Sequence, residues 1–127
     1  MTIKGRQQSM KNVIEVTELK KYYGSLKAVQ GINFQVQEGI IFGMLGPNGA
    51  GKTTTIETLV GLTEKTGGEI NILGLDPASE LDKLQTKIGV QLQSPALFPR
   101  LTVNEITDLF ASFYPNPLAA ETAISQV

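Results

Sequence analysis

Apolar and polar positions alternate through "GINFQVQEG" (31–39). Ile32, Phe34 and Val36 fall on one side, with Asn33, Gln35 and Gln37 on the other. A period of two predicts a half-buried, antiparallel strand. Upstream, "VIEVTEL" (13–19) predicts a strand with Ile14 and Val16 on one face, broken by a glycine turn in "KYYGS" (21–25). "IIFGML" (40–45) is short and apolar on both sides, the pattern of a strand buried on both faces with parallel neighbours. The period then changes. In "KTTTIETLVG" (52–61), Ile56, Leu59 and Val60 recur at helical spacing, and Gly61 is a stop signal.

The second half is read in the same way. "EINILGLD" (69–76) predicts a strand ended by Pro77, "LDKLQTK" (81–87) a short helix, and "IGVQLQ" (88–93) a strand. "SPALFPRLT" (94–102), with two prolines, is an irregular connector. In "VNEITDLFASFY" (103–114), Val103, Ile106, Leu109, Phe110 and Phe113 form one helical stripe. "PNPLAAETAISQV" (115–127) begins another helix. Neither a repeat nor a low-complexity tract interrupts the chain.

Composition narrows the chemistry. The chain has 127 residues, enough for one core, and 41% hydrophobic with 18% charged residues is a globular balance. A formal net charge of −1 gives no electrostatic case for nucleic acid or an anionic membrane as main partner. Residues 1–12 hold Lys4, Arg6 and Lys11 ahead of the first acid, Glu15, and are expected to be a solvated, flexible N-terminus. The chain has no cysteine and no histidine. Disulfides, thiol chemistry, a Ser-His-Asp triad and His–metal sites are therefore excluded within it. No apolar run approaches the ~20 residues of a membrane span.

One stretch concentrates the candidate chemistry. Residues 46–53, "GPNGAGKT", fit G-x-x-x-x-G-K-[ST] between a predicted strand and a predicted helix. Glycines permit dihedrals closed to other residues and close approach to a ligand. The loop of Gly46, Pro47, Asn48, Gly49, Ala50 and Gly51 would then turn its N–H groups inward and form an anion cradle in front of a helix N-terminus. Lys52 would reach the outer phosphates, and the Thr53 hydroxyl would bind Mg²⁺, with Thr54 beside it. Thr53, Thr54, Thr55 and Thr58 crowd the helix start although threonine is a poor helix former, and such local violations mark function. The plain alternative is a glycine-rich turn with a surface lysine.

The surroundings carry a resemblance. "LKKYYGSLKAVQGINFQVQEGIIFGMLGPNGAGKTTTIETLVGLTEKTGGEINILGLDP", continued by "IGVQLQSPALFPRLTVNEI", resembles the start of ATP-binding cassette (ABC) proteins, the nucleotide-binding subunits of ABC transporters. It runs from about residue 13 to the end of the chain. The resemblance implies an α/β P-loop NTPase of ABC type. It would have an N-terminal antiparallel β-subdomain, a RecA-like parallel sheet core (both within 13–93) and the start of a helical subdomain (94–127). It implies ATP and Mg²⁺ as cofactors, with Lys52 and Thr53 in the roles above. Tyr23 matches the aromatic that stacks on adenine, with Tyr22 as the competing position and a tyrosine packed on the sheet as the plain reading. Gln93 matches the glutamine that approaches Mg²⁺ and the attacking water. Gln91 shares its strand face, and either is otherwise a polar strand residue. Leu97 and Phe98 would suit a contact with a membrane partner, or would be core.

The same resemblance implies partners: a transmembrane permease subunit and a second nucleotide-binding domain, on the cytoplasmic face of the membrane. The spelling leans towards the subfamily serving drug, antibiotic or lipid-type exporters. A soluble ABC-type ATPase of translation or DNA repair, and a non-catalytic nucleotide-binding fragment, are the competing readings. Parts of the family's machinery are not found: the strand-end Asp and following Glu, the "LSGGQ"-type signature and the switch histidine. Asp76 mimics the strand-end Asp, but it lies too soon after the loop and Pro77 follows it, so it is read as a turn residue. The chain thus looks like the first half of a nucleotide-binding domain. The expectations are binding without turnover, and self-association through an unpaired buried strand.

Overall fold

The computed structural model describes residues 10–94 and 98–127. Three strands form one antiparallel sheet: β1 (Asn12–Tyr23), β2 (Leu26–Gln37) and β3 (Gly67–Ile72), in the order β2-β1-β3. Helix α1 (Lys52–Leu59) follows the glycine-rich loop, and α2 (Leu81–Gln85), α3 (Val103–Ala111) and α4 (Ala120–Ile124) are short. The chain divides into two compact units, one ending at Leu84 and one starting at Gln85.

In the first unit the sheet carries the core: Val16, Leu19, Val29, Val36, Ile70 and Ile72 are all buried. Val16 and Leu19 are three residues apart, so a regular strand would put them on opposite faces. A bulge resolves the conflict. The pairing register shifts between Val16 and Leu19, and Glu18 takes a left-handed φ of 48°. Asn33 of β2 holds that bulge from both sides: its Oδ1 accepts from the Glu18 amide at 2.9 Å, and its Nδ2 donates to Glu18 Oε1 at 2.6 Å. The expected break at "KYYGS" falls late, because β1 runs on to Tyr23 and the chain turns at Gly24 and Ser25.

Helix α1 buries a different stripe from the expected one. Thr55, Thr58 and Leu59 are buried and Ile56 is 48% exposed. Threonine can be buried here because each hydroxyl finds a carbonyl one turn back: Thr55 Oγ1 donates to Gly51 O at 2.8 Å and Thr58 Oγ1 to Thr54 O at 2.7 Å.

Two expected strands are not formed. Residues 40–45 join no ladder; Ile41 is 100% and Leu45 95% exposed. Residues 88–93 are likewise outside any ladder. The expected parallel sheet is thus not built among the described residues, whose only sheet is antiparallel. An apolar run supplies the tendency to be buried, but a central strand exists only when neighbours accept its N–H and C=O groups. From segment 40–45, Phe42 stacks on Phe34 of the sheet with ring centroids 5.2 Å apart.

After β3, Leu73 and Gly74 turn the chain and Asp76 caps the next turn, its Oδ1 accepting from the Ala78 amide at 2.8 Å. This is the turn role expected of Asp76. In the second unit, α3 starts with a capping box: the Thr102 hydroxyl accepts from the Glu105 amide, and the Glu105 carboxylate accepts from the Thr102 amide at 2.7 Å. No residue of α3 is buried, so the stripe from Val103 to Phe113 is largely open. Leu97 lies outside the described residues, and Phe98 is 54% exposed.

Candidate nucleotide site

The site is assembled where the β1–β2 hairpin tip meets the loop before α1. Tyr23, Leu26, Lys27 and Ala28 of the hairpin and Asn48, Gly49, Gly51, Lys52, Thr53 and Thr54 of the loop and helix start line one open cavity of ≈ 320 Å³. Its wall combines an aromatic ring, two lysines, a hydroxyl-bearing helix start and no carboxylate. A polyanion therefore meets attraction and no opposing charge.

The loop is shaped for an anion. Gly51 is the N-cap of α1 at φ 89°, has no side chain to cap with, and the first turn holds no acid. The N–H groups at the helix start are thus left for a ligand, at the positive end of the helix dipole. The first helical bond runs from the Thr55 amide to Gly51 O at 2.9 Å. Upstream, the Ala50 amide donates to Pro47 O at 3.1 Å, closing the loop on itself. The Lys52 ammonium curls back over this loop, donating to Gly46 O and, at 2.8 Å, to Pro47 O. An incoming phosphate would exchange these neutral acceptors for charged ones, adding charge–charge attraction to the ammonium's hydrogen bonds.

The expected residues are distributed as follows. The loop residues, Lys52, Thr53, Thr54 and Tyr23 come together in the first unit. Gly46 and Pro47 lie behind the cavity as acceptors for Lys52, and Ala50 borders an adjoining apolar hollow with Phe34 and Phe42. Between the two tyrosines, Tyr23 borders the cavity at 47% exposure and Tyr22 does not. Gln93 belongs to the second unit and is exposed, as is Gln91. Leu26, Lys27 and Ala28 were not singled out from sequence. The signal was present in the hairpin register, because a two-residue turn pairs Tyr23 with Leu26 and Tyr22 with Lys27.

Magnesium fits on limited terms. Thr53 presents one exposed hydroxyl at the cavity. Among the described residues no group of three or more His, Cys, Asp or Glu side chains gathers to hold a metal. One protein oxygen is what Mg²⁺ accepts when phosphate oxygens and waters complete its shell.

Fold and loop together define a P-loop nucleotide-binding protein. Comparison with known proteins narrows that class: the family model described as "ABC transporter" matches residues 29–127, and the chain belongs to this family. It is 40% identical over 102 residues to the Probable multidrug ABC transporter ATP-binding protein YbhF of Escherichia coli (strain K12), covering 80% of this chain and 18% of that protein. It is 42% identical over 96 residues to the Bacitracin transport ATP-binding protein BcrA of Bacillus licheniformis, covering 76% of this chain and 31% of that one. A solved ATP-binding subunit of an ABC transporter superposes with a TM-score of 0.75 at 31% identity, over 81% of this chain and 43% of the other. The chain therefore spans less than half the length of each of these proteins. No described helix is long and apolar enough to cross a membrane.

Proposed function

We propose that the chain is the nucleotide-binding portion of an ABC transporter's ATP-binding subunit, holding Mg-ATP across the cavity between the hairpin and the loop. The observation that carries this reading is the joining of Tyr23 to Asn48, Gly49 and residues 51–54 in one carboxylate-free cavity. Loop amides and the Lys52 ammonium bind the phosphates, the Thr53 hydroxyl orients Mg²⁺, and the Tyr23 ring stacks on the base. Bound Mg²⁺ supplies charge neutralisation between the outer phosphates. The resemblance would give Gln93 the family role of approaching the metal and the attacking water.

In the parent protein the subunit would hydrolyse ATP as a dimer of nucleotide-binding domains, on the cytoplasmic face of a permease. The names of the relatives above, a multidrug and a bacitracin transport protein, favour export as the direction. This chain alone is expected to bind ATP without sustained turnover, since it has no histidine and no "LSGGQ"-type signature. Calorimetric titration with Mg-ATP, beside Lys52→Ala, tests the reading. Binding that the substitution abolishes, with ATP hydrolysis no faster than in the variant, is the expected result. A folded chain that binds no Mg-ATP, or binds it equally well without Lys52, would overturn it.

A further inference from the structure

Two lysine–tyrosine pairs bracket the tip of the β1–β2 hairpin. Nζ of Lys21 lies over the Tyr23 ring, 4.8 Å from its centroid, and Nζ of Lys27 lies 5.8 Å from the centroid of Tyr22. Both are within the ~6 Å reach of cation–π attraction. Their consequences differ. Tyr23 borders the nucleotide cavity and Tyr22 does not; Lys27 borders it and Lys21 does not. Lys21 therefore touches the ring that would meet the base while standing outside the space the nucleotide would fill. Among the described residues Tyr23 makes no side-chain hydrogen bond and stacks on no other ring. Its surface is 47% exposed, and the cation lies over one face of the ring.

A ring has two faces. An ammonium over one leaves the other for a planar base, and a ring already held in place loses less freedom when the base arrives. Resting on the nucleotide reading above, we propose that Lys21 is a positioning residue for the base. Its ammonium fixes the Tyr23 ring at the cavity wall with the opposite face presented. Lys21 takes no part in holding the phosphates. Removing it weakens recognition of the base end and leaves the phosphate end intact.

The test separates the two ends of the ligand. Mg-ATP and magnesium tripolyphosphate, which has no base, are titrated calorimetrically into the full chain and into Lys21→Ala, Lys21→Arg, Tyr23→Ala and the Lys21→Ala/Tyr23→Ala double variant. Lys21→Ala is expected to lose about two- to ten-fold in ATP affinity, the cost of ordering one side chain on binding. Its tripolyphosphate affinity should stay unchanged. Lys21→Arg, which keeps a cation over the ring, should restore ATP binding. In the Tyr23→Ala background the lysine substitution should add nothing, because the two residues act as one unit. Equal weakening of both ligands by Lys21→Ala would mean a general charge effect and would overturn the proposal, as would no weakening of either. If the unmodified chain binds ATP and tripolyphosphate equally, the base platform fails while the phosphate site stands. A folded chain that binds neither overturns both.

Discussion

Replacing Gly51 by alanine perturbs the point where the loop, α1 and the sheet meet. Gly51 sits at φ 89°, a region that costs an L-residue about 1–2 kcal/mol. A Cβ built there would lie 2.3 Å from the backbone oxygen of Ala28 and 3.4 Å from Val29 Cγ2. The first distance is far inside the ~3.3–3.6 Å of a C–H···O contact. Its neighbour is the main chain of β2 near the hairpin tip, so no side chain can swing away. Overpacking of this kind adds about 1–3 kcal/mol, for a total of roughly 2–5 kcal/mol. Gly49 is the internal control. Its φ is 84°, but a Cβ there meets nothing within 4 Å, so Gly49→Ala should cost only the dihedral term of about 1–2 kcal/mol. The assay is urea unfolding followed by far-UV circular dichroism, comparing midpoints at equal slope. Gly51→Ala should be the less stable by about 1–3 kcal/mol, and it should lose Mg-ATP binding as the helix start is pushed off β2. Equal stability of the two variants would refute the claim that packing against Ala28, and not the turn conformation alone, requires glycine at 51.

Two further predictions concern other parts of the chain. Hydrogen bonds from the Thr102 amide and then from its hydroxyl hold the Glu105 carboxyl below the usual carboxylate range. A lowered folded-state pKa means the cap stabilises α3 above the unfolded value of about 4.3 and is lost as pH falls through the folded one. Thr102→Ala should cost about 1 kcal/mol at neutral pH and move the Glu105 titration, read by NMR, only part of the way back up, because the Thr102 amide still donates to the carboxylate; an unchanged titration would count against the role of the hydroxyl. Segment 40–45 should drive self-association, since it is unpaired, uncharged and exposes Ile41 and Leu45. Light scattering should show association that rises with concentration and falls in Ile41→Lys, and a monodisperse monomer would refute this.

Much of the site was legible because its determinants are local. The glycine and lysine spacing of 46–53 specifies a loop conformation within eight consecutive residues, and the structure places that loop at the head of a helix starting at Lys52. The hairpin followed from alternation in 31–39 and the glycine at 24. The Tyr23–Lys21 pair and the lining role of Lys27 and Ala28 did not. They depend on the β1–β2 register and on where the hairpin tip lands against the loop, which are distances between residues far apart in sequence.

The misreadings have the same origin. Periodicity put Ile56 on the buried stripe of α1, yet Leu59 shares the buried face with two threonines whose hydroxyls are satisfied within the helix. Hydropathy ranks side chains; it does not count the carbonyls that make a hydroxyl tolerable inside. The run at 40–45 is apolar enough for a sheet centre and stays unpaired, because a strand is a relation between segments and not a property of one. Sequence alone determined the phosphate loop, the antiparallel hairpin and the family pattern, all set by short-range geometry. Tertiary structure alone decided the bulge at Glu18, the face α1 buries and the hairpin residues that line the cavity, because each is an outcome of packing between distant parts of the chain.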